Sequence, residues 1–202
     1  MAHTSAAVIL AAGAGRRFGG PKALARRGEK TWLEIAVERV SDADFGWATI
    51  VLGAEAAAVR AALPAGDSRT RATLSWVINT EWQAGRTGSI AAGLVDLRGW
   101  ARGALIYPVD FPVVDTETIY QLAGAFDATG EAEEKIILPV SGGRRGHPII
   151  IGRQVWPEIL ALGRDDPLHL IVRRDAARVV EVAVNDAGIH RNINTPEDLE
   201  DP

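Results

Sequence analysis

The chain has 202 residues, 22 of them Lys or Arg and 26 Asp or Glu, for a net charge of −4, with 47% hydrophobic residues. That length suits one large domain with a real core, and the acidic balance argues against nucleic acid or an anionic membrane as the partner. With no cysteine, disulfides, thiolate nucleophiles and zinc–thiolate sites are excluded. The expected organisation is a single domain spanning residues 1–202 in the cytoplasm.

Taken in order, Ala6–Ala12 reads as a short strand apolar on both faces, as in a parallel sheet. No basic segment precedes it, and it is too short to span a bilayer, so neither a secretory signal nor an anchor is expected. A glycine-rich loop follows over Gly13–Gly20. Thr31–Val40 has helical spacing. Ala48–Leu52 is a second strand, and Ala54–Leu63 a helix stopped by Pro64. Thr73–Ile78 is a third strand, Ser89–Leu97 a helix, and Ala104–Val109 a strand ending at Asp110. Thr116–Phe126 is helical, and the polar stretch Asp127–Glu134 reads as an exposed, locally disordered loop. Ile136–Val140 and Pro148–Ile151 are β-like. Helices follow around Val155, Ile159 and Leu162 and over Pro167–Arg174, then a strand at Val179–Val184 and a short helix from Pro196. Alternating strands and helices predict an α/β fold, three layers deep, with a mostly parallel mixed sheet.

The loop sequence is LAAGAGRRFGGPKAL over Leu10–Leu24. Glycines let backbone amides approach a ligand, and Arg16, Arg17 and Lys22 add cations, which together suit a triphosphate. It is not a P-loop, because Ala23 follows Lys22, and Phe18 breaks the G-x-G-x-x-G dinucleotide pattern. Asp110 in YPVDFPVV ends a parallel strand, on the same sheet edge as Gly13, where open α/β sheets bind ligands. A carboxylate there suits magnesium; equally, an Asp before a turn simply ends a strand. In NTEWQAGRTGSIAAGL, Thr87, Gly88 and Ser89 stand at a helix start, whose amides can hold an anion or a base edge, though Thr87 or Ser89 as plain caps explains them as well. In RNINTPEDL, capping chemistry accounts for Thr195 to Asp198, but not for Asn192-Ile193-Asn194. The tryptophans read as core or edge packing.

From about Val8 to Leu199 the chain resembles the MobA-like NTP transferases, nearest to the branch that attaches cytidylate to the molybdenum cofactor. The pattern LAAGxGxRxGxPKxL and the acceptor-side loop GGRRGHP carry the likeness. LAAG rather than LAGG leans toward CTP. The resemblance implies a Rossmann-like nucleotidyltransferase fold, with Leu10, Ala11, Ala12, Gly13, Gly15, Arg16, Lys22, Asn79, Thr87, Gly88 and Ser89 at the nucleotide. It further implies catalytic roles for Lys22, Arg16 and Asp110, and acceptor binding by His147. Asp110 and Asn194 would hold Mg2+, or Mn2+ in its stead. Asparagines at 192 and 194, where the family usually has aspartates, remove charge from that site. The implied partners are a nucleoside triphosphate, a small phosphorylated acceptor such as molybdopterin, and a molybdoenzyme or its chaperone. A sugar-phosphate or alditol-phosphate nucleotidyltransferase is the alternative within the chemistry. A non-catalytic nucleotide-binding protein with a decayed metal site is the alternative outside it.

Overall fold

The structure, a computed structural model, describes residues 3–63, 70–97 and 99–199. Pro64, the expected helix stop, lies outside these residues. The strands are β1 (Ser5–Ala11), β2 (Arg26–Arg27), β3 (Lys30–Thr31), β4 (Trp47–Leu52), β5 (Thr73–Ile78), β6 (Gly103–Pro108), β7 (Ile136–Ser141), β8 (Arg144–Arg145), β9 (Ile149–Gly152) and β10 (Val179–Ala183). The helices are α1 (Trp32–Asp42), α2 (Ala56–Ala61), α3 (Arg86–Asp96), α4 (Thr116–Ala128), α5 (Trp156–Leu160) and α6 (His169–Arg174), with several short 3-10 turns between them.

The main sheet runs β10-β7-β9-β6-β1-β4-β5, and β8 pairs β7. All neighbours are parallel except β9, which runs against both β6 and β7, and the β7–β8 hairpin. This is the expected mostly parallel mixed sheet. β1 is buried along its whole length, as its unbroken apolar run requires of a central strand covered on both faces. Its side chains alternate between two cores. Ala7, Ile9 and Ala11 face α1 and α4 through Leu33, Val37, Ile119 and Phe126. Ala6, Val8 and Leu10 face α3 and α5 through Ile90, Leu94, Trp156 and Ile159. β4 lies on one side of β1 and β6 on the other, so the strand order reverses at β1 and opens a crevice at its carboxyl end.

Most element boundaries move by a residue or two from the sequence reading, while α3 starts three residues earlier, at Arg86 rather than Ser89, and two further corrections are physical. Thr31 is not the first helical residue but the N-cap of α1. Its hydroxyl accepts from the Glu34 amide and the Glu34 carboxylate accepts from the Thr31 amide, a capping box. Asp127–Glu134 is not an open loop. α4 runs on to Ala128, a 3-10 turn occupies Ala132–Glu134, and Ala132 is fully buried. Polar composition hid this because the acids are used: Glu133 is bound by Arg102 and Arg153, and Asp127 accepts from the Thr4 amide and hydroxyl.

Near the carboxyl terminus, Asp186 is buried and accepts from the Asp115 amide, the Thr118 hydroxyl and the Gly188 amide, fastening the tail to the start of α4. Asp186→Ala strands all three donors and is expected to cost about 2–4 kcal/mol, more than the roughly 1 kcal/mol expected for Thr31→Ala. Urea unfolding of the two variants measures both. Equal losses would contradict a buried anchoring role for Asp186.

Candidate functional site

The crevice at the end of β1 holds a cleft of about 450 Å3, within the range of small-molecule sites. The glycine-rich loop forms one wall. Its turn closes on Gly15, whose carbonyl accepts from the Phe18 and Gly20 amides. Gly15 has φ +57°, and a Cβ there would lie 1.9 Å from the Gly20 carbonyl oxygen, so only glycine fits. Phe18 packs on Trp32, the first residue of α1, with ring centres 5.0 Å apart, and so ties the loop to the helix behind it. Pro21 then starts a 3-10 turn, Lys22–Leu24, whose Ala23 is buried. That burial sets the direction of its neighbour Lys22.

Lys22 joins three distant parts of the chain. Its Nζ donates to Asp110 Oδ2 at 3.3 Å and to Asn194 Oδ1 at 2.9 Å. Burial pulls its pKa below the ordinary lysine value, and the Asp110 carboxylate pulls the other way. Asp110 follows β6 and is fixed by its own backbone. Its carbonyl accepts from the Ile193 amide at 2.9 Å, and the preceding Val109 amide donates to Leu10 of β1. Arg39 of α1 braces the same turn from behind, donating to the Pro112 carbonyl and to Tyr107. Asn194 is fixed in turn by Asp198, whose carboxylate accepts from the Asn194 and Thr195 amides at 2.7 and 2.9 Å. The Thr-Pro-Glu-Asp segment therefore makes its local turn and aims an asparagine at the cleft in the same stroke.

Arg16, Arg17, Lys22 and Arg86 line the cleft against the one carboxylate of Asp110, an excess of positive charge that calls for a polyanion. A buried oxygen here lacks a hydrogen-bond partner, Asp110 Oδ1. With the Asn194 amide oxygen, which lines the same cleft, it gives an all-oxygen donor pair that fits a hard divalent cation. Among the described residues no group of three or more His, Cys, Asp or Glu could hold a metal, so any such ion depends on amide oxygens and on its own phosphate and water ligands.

Most of the expected nucleotide residues converge. Leu10, Ala11, Ala12, Gly13, Gly15, Arg16, Lys22 and Ser89 line the cleft with Asp110 and Asn194. Asn79, Thr87 and Gly88 do not. Asn79 sits behind Ser89, donating to its hydroxyl at 3.0 Å. Thr87 donates to the Asp166 carbonyl, and the Gly88 amide donates to the Arg164 carbonyl. The expectation of free amides at this helix start is therefore corrected at Gly88: α3 begins earlier, at Arg86, behind a Gly85 cap, and the 163–168 loop covers its first turn. Sequence reasoning gave no role to Arg86, Trp82 and Gln83, which also line the cleft. The Trp82–Ala84 turn that carries two of them leaves no periodic signal, and Trp82 lines the cleft while also packing against the core, as expected of the tryptophans.

His147 lies outside the cleft, in an adjoining cavity of about 530 Å3 between β9 and α6. Its ring packs on Phe111 at 5.1 Å, and its Nδ1 is buried without a partner. Burial, with Arg86 adding to it, pulls its pKa below the ordinary 6.5. The imidazole is therefore neutral at pH 7. Apolar side chains such as Ile90, Ile106 and Ile149 form the floor of this cavity, and Arg145, His169 and Arg173 stand on its walls.

A family model described as the MobA-like NTP transferase domain matches residues 7–180. Nicotine blue oxidoreductase of Paenarthrobacter nicotinovorans is 28% identical over 202 residues, covering 95% of this chain and 93% of that protein. The crystal structure of Rv0371c from Mycobacterium tuberculosis is 25% identical with a TM-score of 0.78, covering 97% of this chain and 96% of the other. Rv0371c has also been solved as a manganese complex. A nucleotidyl transferase from Methanothermobacter shares the fold at 24% identity and TM-score 0.76, over 96% of this chain and 94% of that one.

Two outcomes are expected. Gly13 has nothing within 4 Å of an added Cβ, so Gly13→Ala should melt like the wild type, whereas Gly15→Ala should lose about 1–3 kcal/mol in thermal or urea unfolding. Similar losses in both would show that the loop turn does not depend on Gly15. For His147, a depressed folded pKa means that the unfolded chain takes up a proton the folded one refuses. Stability is then full above the unfolded pKa and falls as pH drops below about 6.5. NMR titration of the His147 ring, assigned with His147→Gln, should give a midpoint below that value, and a midpoint at or above it would contradict the burial.

Proposed function

The chain belongs to the MobA-like NTP transferase family, and from that premise we propose that it transfers a nucleoside monophosphate, from CTP by preference, to a phosphorylated acceptor and releases pyrophosphate. The acceptor we favour is the molybdenum cofactor, molybdopterin, and we take residues 1–202 as a single nucleotidyltransferase domain. The observation that carries the reading is the Lys22 bridge between Asp110 and Asn194 at the head of a cation-lined cleft. The bridge gathers the three segments that the family likeness singled out.

The reaction is an in-line displacement. A phosphate oxygen of the acceptor forms a bond to the α-phosphorus. The bond from that phosphorus to the bridging oxygen breaks, and its electron pair leaves with pyrophosphate. No covalent enzyme intermediate is needed, because positioning and charge neutralisation carry such transfers. The loop amides around Gly13 and Gly15 receive the triphosphate, and Arg16 balances its outer phosphates. Lys22 turns from Asp110 and Asn194 toward the α-phosphate, where charge grows as the bond forms. Leu10, Ala11, Ala12 and Ser89 border the nucleoside, with Asn79, Thr87 and Gly88 supporting that wall from behind. His147, uncharged, offers one ring nitrogen to the acceptor in the adjoining cavity. Asp110 and the amide oxygen of Asn194 would hold Mg2+ or Mn2+, which supplies charge neutralisation on the triphosphate; the orphaned Asp110 Oδ1 and the manganese complex of Rv0371c support this assignment.

A second reading has one observation in its favour, the oxidoreductase name of the relative that is 28% identical along nearly the whole chain. The chain has no cysteine, so a dithiol route is closed, and an oxidoreductase here would draw on a soluble hydride donor.

Both readings are decided by one assay pair. Pyrophosphate release is measured with magnesium, each nucleoside triphosphate and molybdopterin, then a panel of sugar and alditol phosphates. In parallel, oxidation of reduced nicotinamide is followed with a quinone-type dye. Release with one triphosphate should fall roughly 100-fold or more in Asp110→Ala and in Lys22→Ala, both of which should still unfold cooperatively. Undiminished turnover in Lys22→Ala would refute its role. Nicotinamide oxidation without pyrophosphate release would replace the first reading by the second. Triphosphate binding with neither activity would mark a nucleotide-binding protein with a decayed metal site.

A further inference from the structure

The cleft and the adjoining cavity share a wall made of three residues: Leu10 at the end of β1, Pro108 at the end of β6 and Arg86 at the start of α3. Two of these are apolar, so Arg86 is the charged side chain common to both spaces. Its Nη2 lies 3.8 Å from Asp110 Oδ2, the same oxygen that Lys22 approaches at 3.3 Å. Of these two cations, Lys22 is nearly covered, whereas the Arg86 side chain is 58% exposed. A long, exposed ion pair to an already neutralised carboxylate holds little energy, so the guanidinium is ready to move to a stronger anion.

The second cavity lacks another cation so placed. Arg145 is engaged by Glu181 at 2.7 Å, and neither it nor Arg173 also lines the cleft. His147 is neutral and brings no charge. A phosphorylated acceptor in this cavity must nevertheless set one phosphate oxygen against the α-phosphate of the nucleotide, and two anions repel. A guanidinium can hold oxygens of both at once through its fork of donors, which an ammonium cannot.

We propose that Arg86 is a catalytic residue shared by the two substrates: it leaves Asp110, binds the acceptor's phosphate in the second cavity and holds it against the α-phosphate in the cleft. The nucleotide half of this role rests on the nucleotidyltransferase reading, and the phosphate half does not.

Inorganic phosphate serves as the probe. It is titrated into the wild-type protein, Arg86→Gln and Arg86→Lys, with and without saturating CTP, while the His147 ring is followed by NMR and CTP affinity by calorimetry. In the wild type, phosphate should move the His147 resonances even with CTP bound. Arg86→Gln should weaken that phosphate response about tenfold, with Arg86→Lys recovering part of it, while CTP affinity, to which Arg86 also contributes from the cleft wall, falls by a smaller factor. The proposal is overturned if wild-type His147 does not respond to phosphate. It is equally overturned if Arg86→Gln keeps the full response, or if CTP affinity falls by the larger factor. If the wild type binds phosphate beside His147 but no nucleoside triphosphate, the nucleotidyltransferase reading fails. The nucleotide-free titration then still decides whether Arg86 is the phosphate ligand.

Discussion

Lys22 holds together segments that are 88 and 172 residues away in sequence, by donating to Asp110 and to Asn194 from one ammonium group. Everything that shapes the cleft converges on that point. The glycine-rich loop must close on Gly15 and dock Phe18 on Trp32 for Ala23 to be buried and Lys22 to turn inward. β6 must end where Val109 reaches Leu10, and the tail must return so that the Ile193 amide meets the Asp110 carbonyl. An ammonium that is largely out of water needs those partners, and burial shifts its pKa downward because they offset only part of its lost hydration. In the proposed reaction a phosphate replaces them. The resting contacts thus keep a desolvated cation in place until an anion arrives.

The asparagines at 192 and 194 take on a different meaning in this setting. An aspartate at 194 would place a second carboxylate beside Lys22 and pair with it more strongly. The amide at this position offers one oxygen to Lys22 and, through its nitrogen, a donor to the Asn192 carbonyl. That exchange leaves the cleft with Asp110 as its one carboxylate, and so preserves its positive excess. Fewer fixed charges would weaken the hold on a free divalent ion while leaving the attraction for a triphosphate, which brings its own cation, largely intact.

The sheet and both of its cores were legible because β1 is apolar without interruption from Ala6 and its neighbours are largely so, while α1, α3 and α4 carry periodic apolar faces. The loop and Asp110 stood out because glycine, basic and acidic residues there come after strand ends, whereas Asn194, well beyond the end of β10, was expected only from the family resemblance. Arg86 was not, since its importance comes from which two spaces it separates, and no local pattern encodes that. Nor was the masking of Thr87 and Gly88, which depends on contacts with Asp166 and Arg164 nearly eighty residues downstream. Asp127–Glu134 misled for a related reason, because its acids are matched by arginines and a threonine from other parts of the chain.

The reversed direction of β9 has a bearing on how such a protein diversifies. Because β9 enters the sheet against β6, with Ile149 opposite Ile106, the chain just before it arrives at the same edge as the glycine-rich loop. That chain belongs to the β7–β8–β9 excursion, which turns outward at Gly142 and Gly143, both at positive φ. Its length and side chains can change at that turn while the pairing of Ile149, Ile150 and Ile151 to β6 stays fixed. In the proposed reaction that insert, through Arg145, Gly146 and His147, can remodel one side of the acceptor cavity while β1 and the glycine-rich loop are inherited unaltered.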